Sequence, residues 1–330
     1  MKISYSESLQ LRGLAILMMI WLHCFNKDVT GLTYISLLPS VGGATLPFLL
    51  TRVAQICVSL YCFLSGYGLY CKYPYKEGYT RKKAFILIKQ YWFVLFTFAI
   101  VGIMMKYYHT VTIYDLLGNF LGYRTSWNST LWFLLPYIIL LLISKWVFEF
   151  INKLKIYISL PIIIVAWVFA MGLLKYQNTG VIEINVFVKN LLQVLRLLLP
   201  FCFGVYAKKY DYIEDVIKAN KSLWWGIMFL STILLMSRFL IWNHFTLPVC
   251  CVAFVYLFHC VKLSSKLRDI ISFFGEKSLY LWFCHAYFVY YFFKEYVLGV
   301  KYAILIYLLA IVLSLFSALF FEYSFRKLKF

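Results

Sequence analysis

Charge is what this sequence has least of. Only 14% of its 330 residues are Asp, Glu, Lys or Arg, against roughly 25% in an ordinary soluble domain, so a water-soluble globule is excluded. Acids are the scarcer sign, with 13 Asp and Glu against 32 Lys and Arg. There is no Cys-x-x-Cys pair, so neither a zinc knuckle nor a dithiol redox site is suggested. Most of the nine cysteines sit in apolar runs and read as small buried side chains. No repeat, low-complexity tract or Pro/Gly-rich linker divides the chain, so residues 1–330 read as a single polytopic membrane domain. The first apolar run, Leu11 to Phe25, lacks a small-x-small cleavage site and reads as an uncleaved first span.

What the chain does have is apolar bulk: 63% hydrophobic and 21% aromatic residues, which excludes disorder. A span takes about 20 apolar residues, and ten candidate helices can be drawn. They cover roughly 9–25, 53–71, 84–105, 131–150, 156–174, 187–207, 223–242, 245–261, 278–298 and 302–321. The runs are apolar all round rather than alternating, which predicts an all-α integral membrane bundle and not a barrel.

Placing the N-terminus inside puts 19 Lys and Arg in stretches 1–8, 72–83, 151–155, 208–222, 262–277 and 322–330. The opposite connections hold only 6, and 7 fall within spans. Retention of basic residues on the cytoplasmic side then predicts both termini cytoplasmic, in a multi-pass protein of the inner (plasma) membrane. It also accounts for much of the +19 net charge without a nucleic-acid partner.

Ionisable groups inside spans are costly and functional by default. Arg12 and His23 share span one, eleven residues apart; that is about three turns plus some 20°, so both fall on one face roughly 16 Å apart. A cation at the inner mouth with a titratable imidazole deeper in suits a polar passage from the cytoplasm, and imidazole can take and return a proton near neutrality. The bland alternative is an interfacial anchor and a histidine bonded to a neighbouring helix.

The stretch "LRGLAILMMIWLHCF" resembles the first span of the membrane acyltransferase-3 family, whose signature is Arg, ten residues, His. "CFLSGYGL" (Cys62 to Leu69), "NSTLWFLLPYI" (Asn128 to Ile138, containing Trp132) and "GEKSLYLWFCH" (Gly275 to His285) resemble its later elements, in order. The resemblance implies transfer of an acyl group, usually acetyl, from cytoplasmic acyl-CoA as co-substrate to a hydroxyl of a carbohydrate or glycolipid acceptor. It carries His23 over as the catalytic histidine, acting either as general base on the acceptor hydroxyl or as the direct acceptor of the acyl group, and Arg12 as its partner. Relatives often show two arginines three apart at the inner end of span three; here the region reads Arg81-Lys82-Lys83, then Lys89.

Those four cations are candidates for the phosphates of acyl-CoA, with an anionic-lipid patch as the alternative. Ser65, Gly66 and Tyr67 lie some 6–9 Å inward on span two and read as pocket or helix-packing residues. No Gly-x-Ser-x-Gly elbow accompanies Ser65, so it is not a nucleophile candidate. His285, about 10 Å into span nine, is a secondary candidate or a helix–helix bond, and His259 reads as interfacial. Arg196 either meets a bound anion or pairs with an acid. The aromatic outer segment 106–130 reads as a sugar platform or an interfacial belt. No metal site and no bound cofactor are expected. From other classes, a secondary transporter or flippase for a sugar-lipid or small anion fits the intramembrane charges, and a b-type haem protein would use His23, His259 or His285.

Overall fold

The computed structural model describes residues 1–26, 34–36, 40–41, 43–108, 111–240 and 243–328. Long apolar segments become helices because a chain in lipid must bond its own backbone. The helices are α1 (Tyr5–Phe25), α2 (Leu46–Ala54), α3 (Cys57–Tyr70), α4 (Tyr79–Met104), α5 (Ile113–Leu121), α6 (Leu134–Lys153), α7 (Ile156–Asn178), α8 (Val186–Lys209), α9 (Ile213–Ala219), α10 (Lys221–Leu240), α11 (Leu247–Cys260), α12 (Ser265–Val289), α13 (Lys294–Leu298) and α14 (Ala303–Lys327). Short 3-10 turns, Ser129–Phe133 and His244–Thr246, lead into α6 and α11. A two-residue antiparallel pair, Ser40–Val41 with Ala44–Thr45, precedes α2. Among the described residues, eight segments are long and apolar enough to cross a membrane. A shorter apolar helical segment, His244–Cys260, accompanies them, and α12, though 25 residues long, is not among the eight. This is an all-α membrane protein, and its lipid-facing exterior carries side chains such as Met104, Phe229 and Phe316.

Each of the ten sequence-predicted segments falls on helix among the described residues; eight have bounds within about six residues of those drawn, and two depart further. The second divides into α2 and α3 at Gln55–Ile56. Pro47 in the first turn of α2 starts a helix where a loop was expected, because proline's fixed φ suits that position. The ninth starts at Ser265, capped by the Ser264 hydroxyl, and ends at Val289. Its charged first turns, with Lys266, Arg268, Asp269 and Glu276, look like a loop in sequence and are instead the extramembrane beginning of α12.

Two glycine contacts set the packing. A Cβ on Gly13 would stand 1.9 Å from the Ile271 carbonyl oxygen, and one on Gly275 would stand 2.0 Å from that of Leu9. Helices α1 and α12 therefore touch backbone to backbone, running in the same direction. The same arrangement joins α3 to α8, where Gly66 meets Phe201 O at 2.0 Å and Gly204 meets Phe63 O at 1.9 Å. Lipid tails are as apolar as leucine, so helix association rests on such close approach.

The basic connections gather at one end of the bundle. The Met1 ammonium donates to Ala207 O at 3.0 Å, the Lys2 amide to Glu214 Oε2 at 2.6 Å, and the Ile3 amide to the Tyr67 hydroxyl at 2.8 Å. His259 bridges Glu7 (2.8 Å) and Glu214 (2.9 Å), so it is a structural link at that end. Lys218 also donates to Glu214. Burial acts to raise the Glu214 carboxyl, but the bonds from Lys218, His259 and Lys2 outweigh it and bring it down to about 2.

At the opposite end, α10 is anchored by a saturated arginine. Arg238 is fully buried and donates to Arg52 O, Asn243 O, Thr246 Oγ1 and Gln55 Oε1. All nine cysteines are free thiols, seven of them buried.

Two outcomes follow. Gly13→Val forces the α1–α12 contact apart; overpacking typically costs about 1–3 kcal/mol, so the variant should melt well below wild type in detergent. Glu214 is depressed when folded, so its contribution is complete above the ordinary carboxyl value of 4.5 and is lost as pH falls toward about 2. Acid melting curves should therefore show a wild-type loss over that window that Glu214→Gln flattens.

Candidate active site

The parallel contact of α1 and α12 fixes a register. Ten residues beyond Gly13 is His23, and ten residues beyond Gly275 is His285. Their rings meet with centroids 5.1 Å apart and planes tilted by 38°. His23 Nδ1 lies 2.5 Å from the Tyr290 hydroxyl, and that ring stands edge-on to the imidazole at 5.1 Å. Tyr290 follows the last residue of α12, so the end of that helix delivers the phenol to His23.

His285 is completely buried, with Nδ1 2.9 Å from Trp282 O and 3.1 Å from Leu281 O. A carbonyl only accepts, so Nδ1 is the protonated nitrogen and Nε2 of the neutral ring carries the lone pair. That Nε2 is buried with no hydrogen-bond partner among the described residues.

Arg12, Met19 and His23 line one face of α1, as three- and four-residue steps require, but they do not line one continuous groove. Arg12 lies in a cavity of about 590 Å³ reaching in from the basic end, between α1, α3, α4, α6 and α12. His23 lies in a second cavity of about 250 Å³ in the opposite half. Met19, Phe133 and Trp282 line both. All three are nearly buried, at 4%, 6% and 6% exposure, and they form a partition between the two spaces. The single polar passage expected from the sequence is therefore two chambers, because residues from three distant segments close across the face that Arg12 and His23 share.

The first chamber holds several of the predicted residues. Ser65 bonds the Tyr137 hydroxyl at 3.0 Å there, and Tyr67 lines the same space. Gly66 instead faces α8 and is a packing residue. Among the described residues the Arg12 guanidinium has no ion pair or hydrogen-bond partner, while its carbonyl accepts from Tyr61 at 3.3 Å. Of the proposed cation cluster only Lys83 reaches this chamber, and it is joined by Lys72, which sequence reasoning passed over. Both stand over the Tyr79 ring, at 4.9 and 5.9 Å. Arg81 and Lys82 are exposed and do not line the chamber, and Lys89 stands over the Phe85 ring at 4.6 Å. Successive residues on α4 point in different directions, so a run of cations cannot all face one cavity.

The second chamber holds Arg196, Trp132, His244 and Gln55 besides His23. Asn128 is fully buried and caps the 3-10 turn through Thr130, which positions Trp132. The Arg196 guanidinium stands over the Trp132 ring at 5.1 Å. The aromatic outer segment does not join them. Tyr123 stacks on Phe187, Arg124 pairs with Asp115 at 3.4 Å, and Trp127 is buried. His109 lies outside the described residues. No cluster of three or more metal-ligating side chains occurs among those described.

Chemically, the arrangement offers an imidazole held by a phenol in one chamber and, in the other, cations with no acidic partner among the described residues. No curated protein and no solved structure matches the chain. A family model described as an acyltransferase domain matches residues 9–323, nearly the whole chain, and so spans both chambers, the partition and every residue named in them. The chain belongs to the acyltransferase-3 family and is a membrane acyltransferase.

Proposed function

We propose that this acyltransferase is an O-acyltransferase of the inner membrane that moves an acyl group, acetyl in the simplest case, from cytoplasmic acyl-CoA to a hydroxyl of a cell-surface or lipid-linked carbohydrate. The observation that carries this reading is the pair of chambers that share Met19, Phe133 and Trp282, with cations lacking an acidic partner among the described residues in one and an oriented imidazole in the other. The basic end faces the cytoplasm, in keeping with the retention of Lys and Arg there. Arg12, Lys72 and Lys83 receive the phosphates of the donor, Arg12 by a bidentate grip and the lysines as point charges. Arg12 and His23 are separated by about 16 Å along α1, so an extended donor lying in the first chamber brings its thioester to the partition.

At the partition His23 acts as general base. With Nδ1–H donating to Tyr290, Nε2 takes the proton from the acceptor hydroxyl, whose oxygen forms the new bond to the thioester carbonyl carbon. The tetrahedral intermediate collapses, the carbon–sulfur bond breaks, and the imidazolium returns its proton to the departing thiolate. Tyr290 is a positioning residue: its hydroxyl oxygen accepts a hydrogen bond from Nδ1–H, which holds the ring's orientation and tautomer, the role a triad's third member plays. Met19 and Trp282 restrict water at the transfer point.

Transfer from labelled acetyl-CoA by purified protein tests this reading. His23→Ala should lower turnover by roughly 10²–10⁴, the usual contribution of a positioned general base; unchanged transfer would remove the imidazole from the chemistry. Arg12→Ala should raise KM for the donor about tenfold or more, as expected for one lost charge-assisted hydrogen bond. Tyr290→Phe should lower kcat while leaving the donor KM in place, a split that a merely structural role would not produce.

A further inference from the structure

The second chamber contains a guanidinium that the bundle does not neutralise. A cation withdrawn from water is costly unless it is paired and bonded; Arg196 is half-buried, open only to its chamber, and the fully buried Arg238 shows how this protein treats a cation that is purely structural. Arg238 spends Nε, Nη1 and Nη2 on two backbone carbonyls, a hydroxyl and a carboxamide, at 2.5 to 3.1 Å. Arg196, near the middle of α8, has one long bond from Nη1 to Gln193 Oε1 at 3.4 Å, a residue on its own helix. No carboxylate lies within 4.0 Å of it among the described residues, and neither Asp nor Glu lines its chamber. Its other support is the Trp132 ring at 5.1 Å, which holds the cation without consuming its N–H donors.

A second donor faces the same space. Gln55 lines the chamber, and its Oε1 is occupied by Arg238 Nη2 at 2.7 Å. Its amide nitrogen therefore remains to donate. Arg238 thus fixes the orientation of a chamber residue, and the chamber offers the donors Arg196 and Gln55 with no Asp or Glu in its lining, the other polar lining residues (Asn26, Ser59, Thr130 and His244) being uncharged amide, hydroxyl or imidazole groups. Such a lining is built for an oxyanion. At about 250 Å³ the chamber is near the lower limit of ligand pockets, so it takes one ring or chain end and not an oligosaccharide.

We infer that the acceptor is anionic: it carries a carboxylate or phosphate that Arg196 and Gln55 hold, while His23 engages a hydroxyl of the same unit. This rests on the acyl-transfer reading above and adds the chemical class of the acceptor to it. Arg196 is then a specificity-determining residue, with Trp132 stacking its guanidinium in place.

The test measures equilibrium binding of three probes to the full chain in lipid nanodiscs: methyl glucoside, methyl glucuronoside and glucose 1-phosphate. At least one anionic probe should bind ten times or more tighter than the neutral one. Preference for the uronoside assigns a carboxylate acceptor, and preference for the phosphate assigns a sugar phosphate. Arg196→Gln should bring the ratio to within about twofold, and Arg196→Lys should retain part of it. Equal binding of all three by wild type, or failure of both anionic probes to bind, overturns the inference even if the variants do not fold. Adding labelled acetyl-CoA separates the two readings. Anion-selective binding without acyl transfer to any probe keeps the anion site and removes its role in transfer. Transfer to the neutral probe without anion preference does the reverse.

Discussion

One backbone-on-backbone contact governs the rest of this molecule. Where Gly13 and Gly275 let α1 and α12 touch, the two helices acquire a fixed parallel register, and a fixed register is what brings two imidazoles together ten residues further on. In lipid the contact is stabilised by dispersion and close fit and not by expulsion of water. The second such contact, between α3 and α8, holds the opposite wall, and α8 carries Arg196 on that wall. The chambers are the space left where two tight helix pairs diverge around larger side chains.

Polar satisfaction divides the arginines into two kinds. Arg238 is saturated by carbonyls, Gln55 and Thr246, which welds α10 and α11 to the break between α2 and α3. Arg12 and Arg196 are incompletely satisfied, and each lines a different chamber. Groups withdrawn from water without a full set of partners are expensive, and here exposure and bonding agree: Arg238 is fully buried and saturated, whereas Arg12 and Arg196 are half-buried and open to a chamber. His285 belongs to both kinds: one nitrogen is tied to its own helix and the other is left unpartnered.

Much of the fold was legible in the sequence, because membrane spans announce themselves through long apolar runs. The helical face shared by Arg12 and His23 was legible too, since 3.6-residue periodicity needs no tertiary information. The partition was not. Met19, Phe133 and Trp282 are ordinary apolar residues far apart in the chain, and only the packing of α12 against α1, with the 3-10 turn before α6 laid on Trp282, brings them together. Tyr290 escaped notice for the same reason: its distance from His23 depends on the α1–α12 register and on where α12 stops. Lys72 was hidden by a more conspicuous run of cations, although direction, not density, decides which of them meets the cavity.

The partition also bears on the membrane as an electrical insulator. Cavities inside a membrane protein shorten the path over which the bilayer resists ions, and here the side chains common to both chambers are one thioether and two aromatic rings. Phenylalanine and tryptophan rings are stiff, whereas methionine turns about three bonds. Of the three side chains shared by the chambers, Met19 is therefore the one with rotational freedom, and the seal at this point rests on a flexible thioether set against two rigid rings.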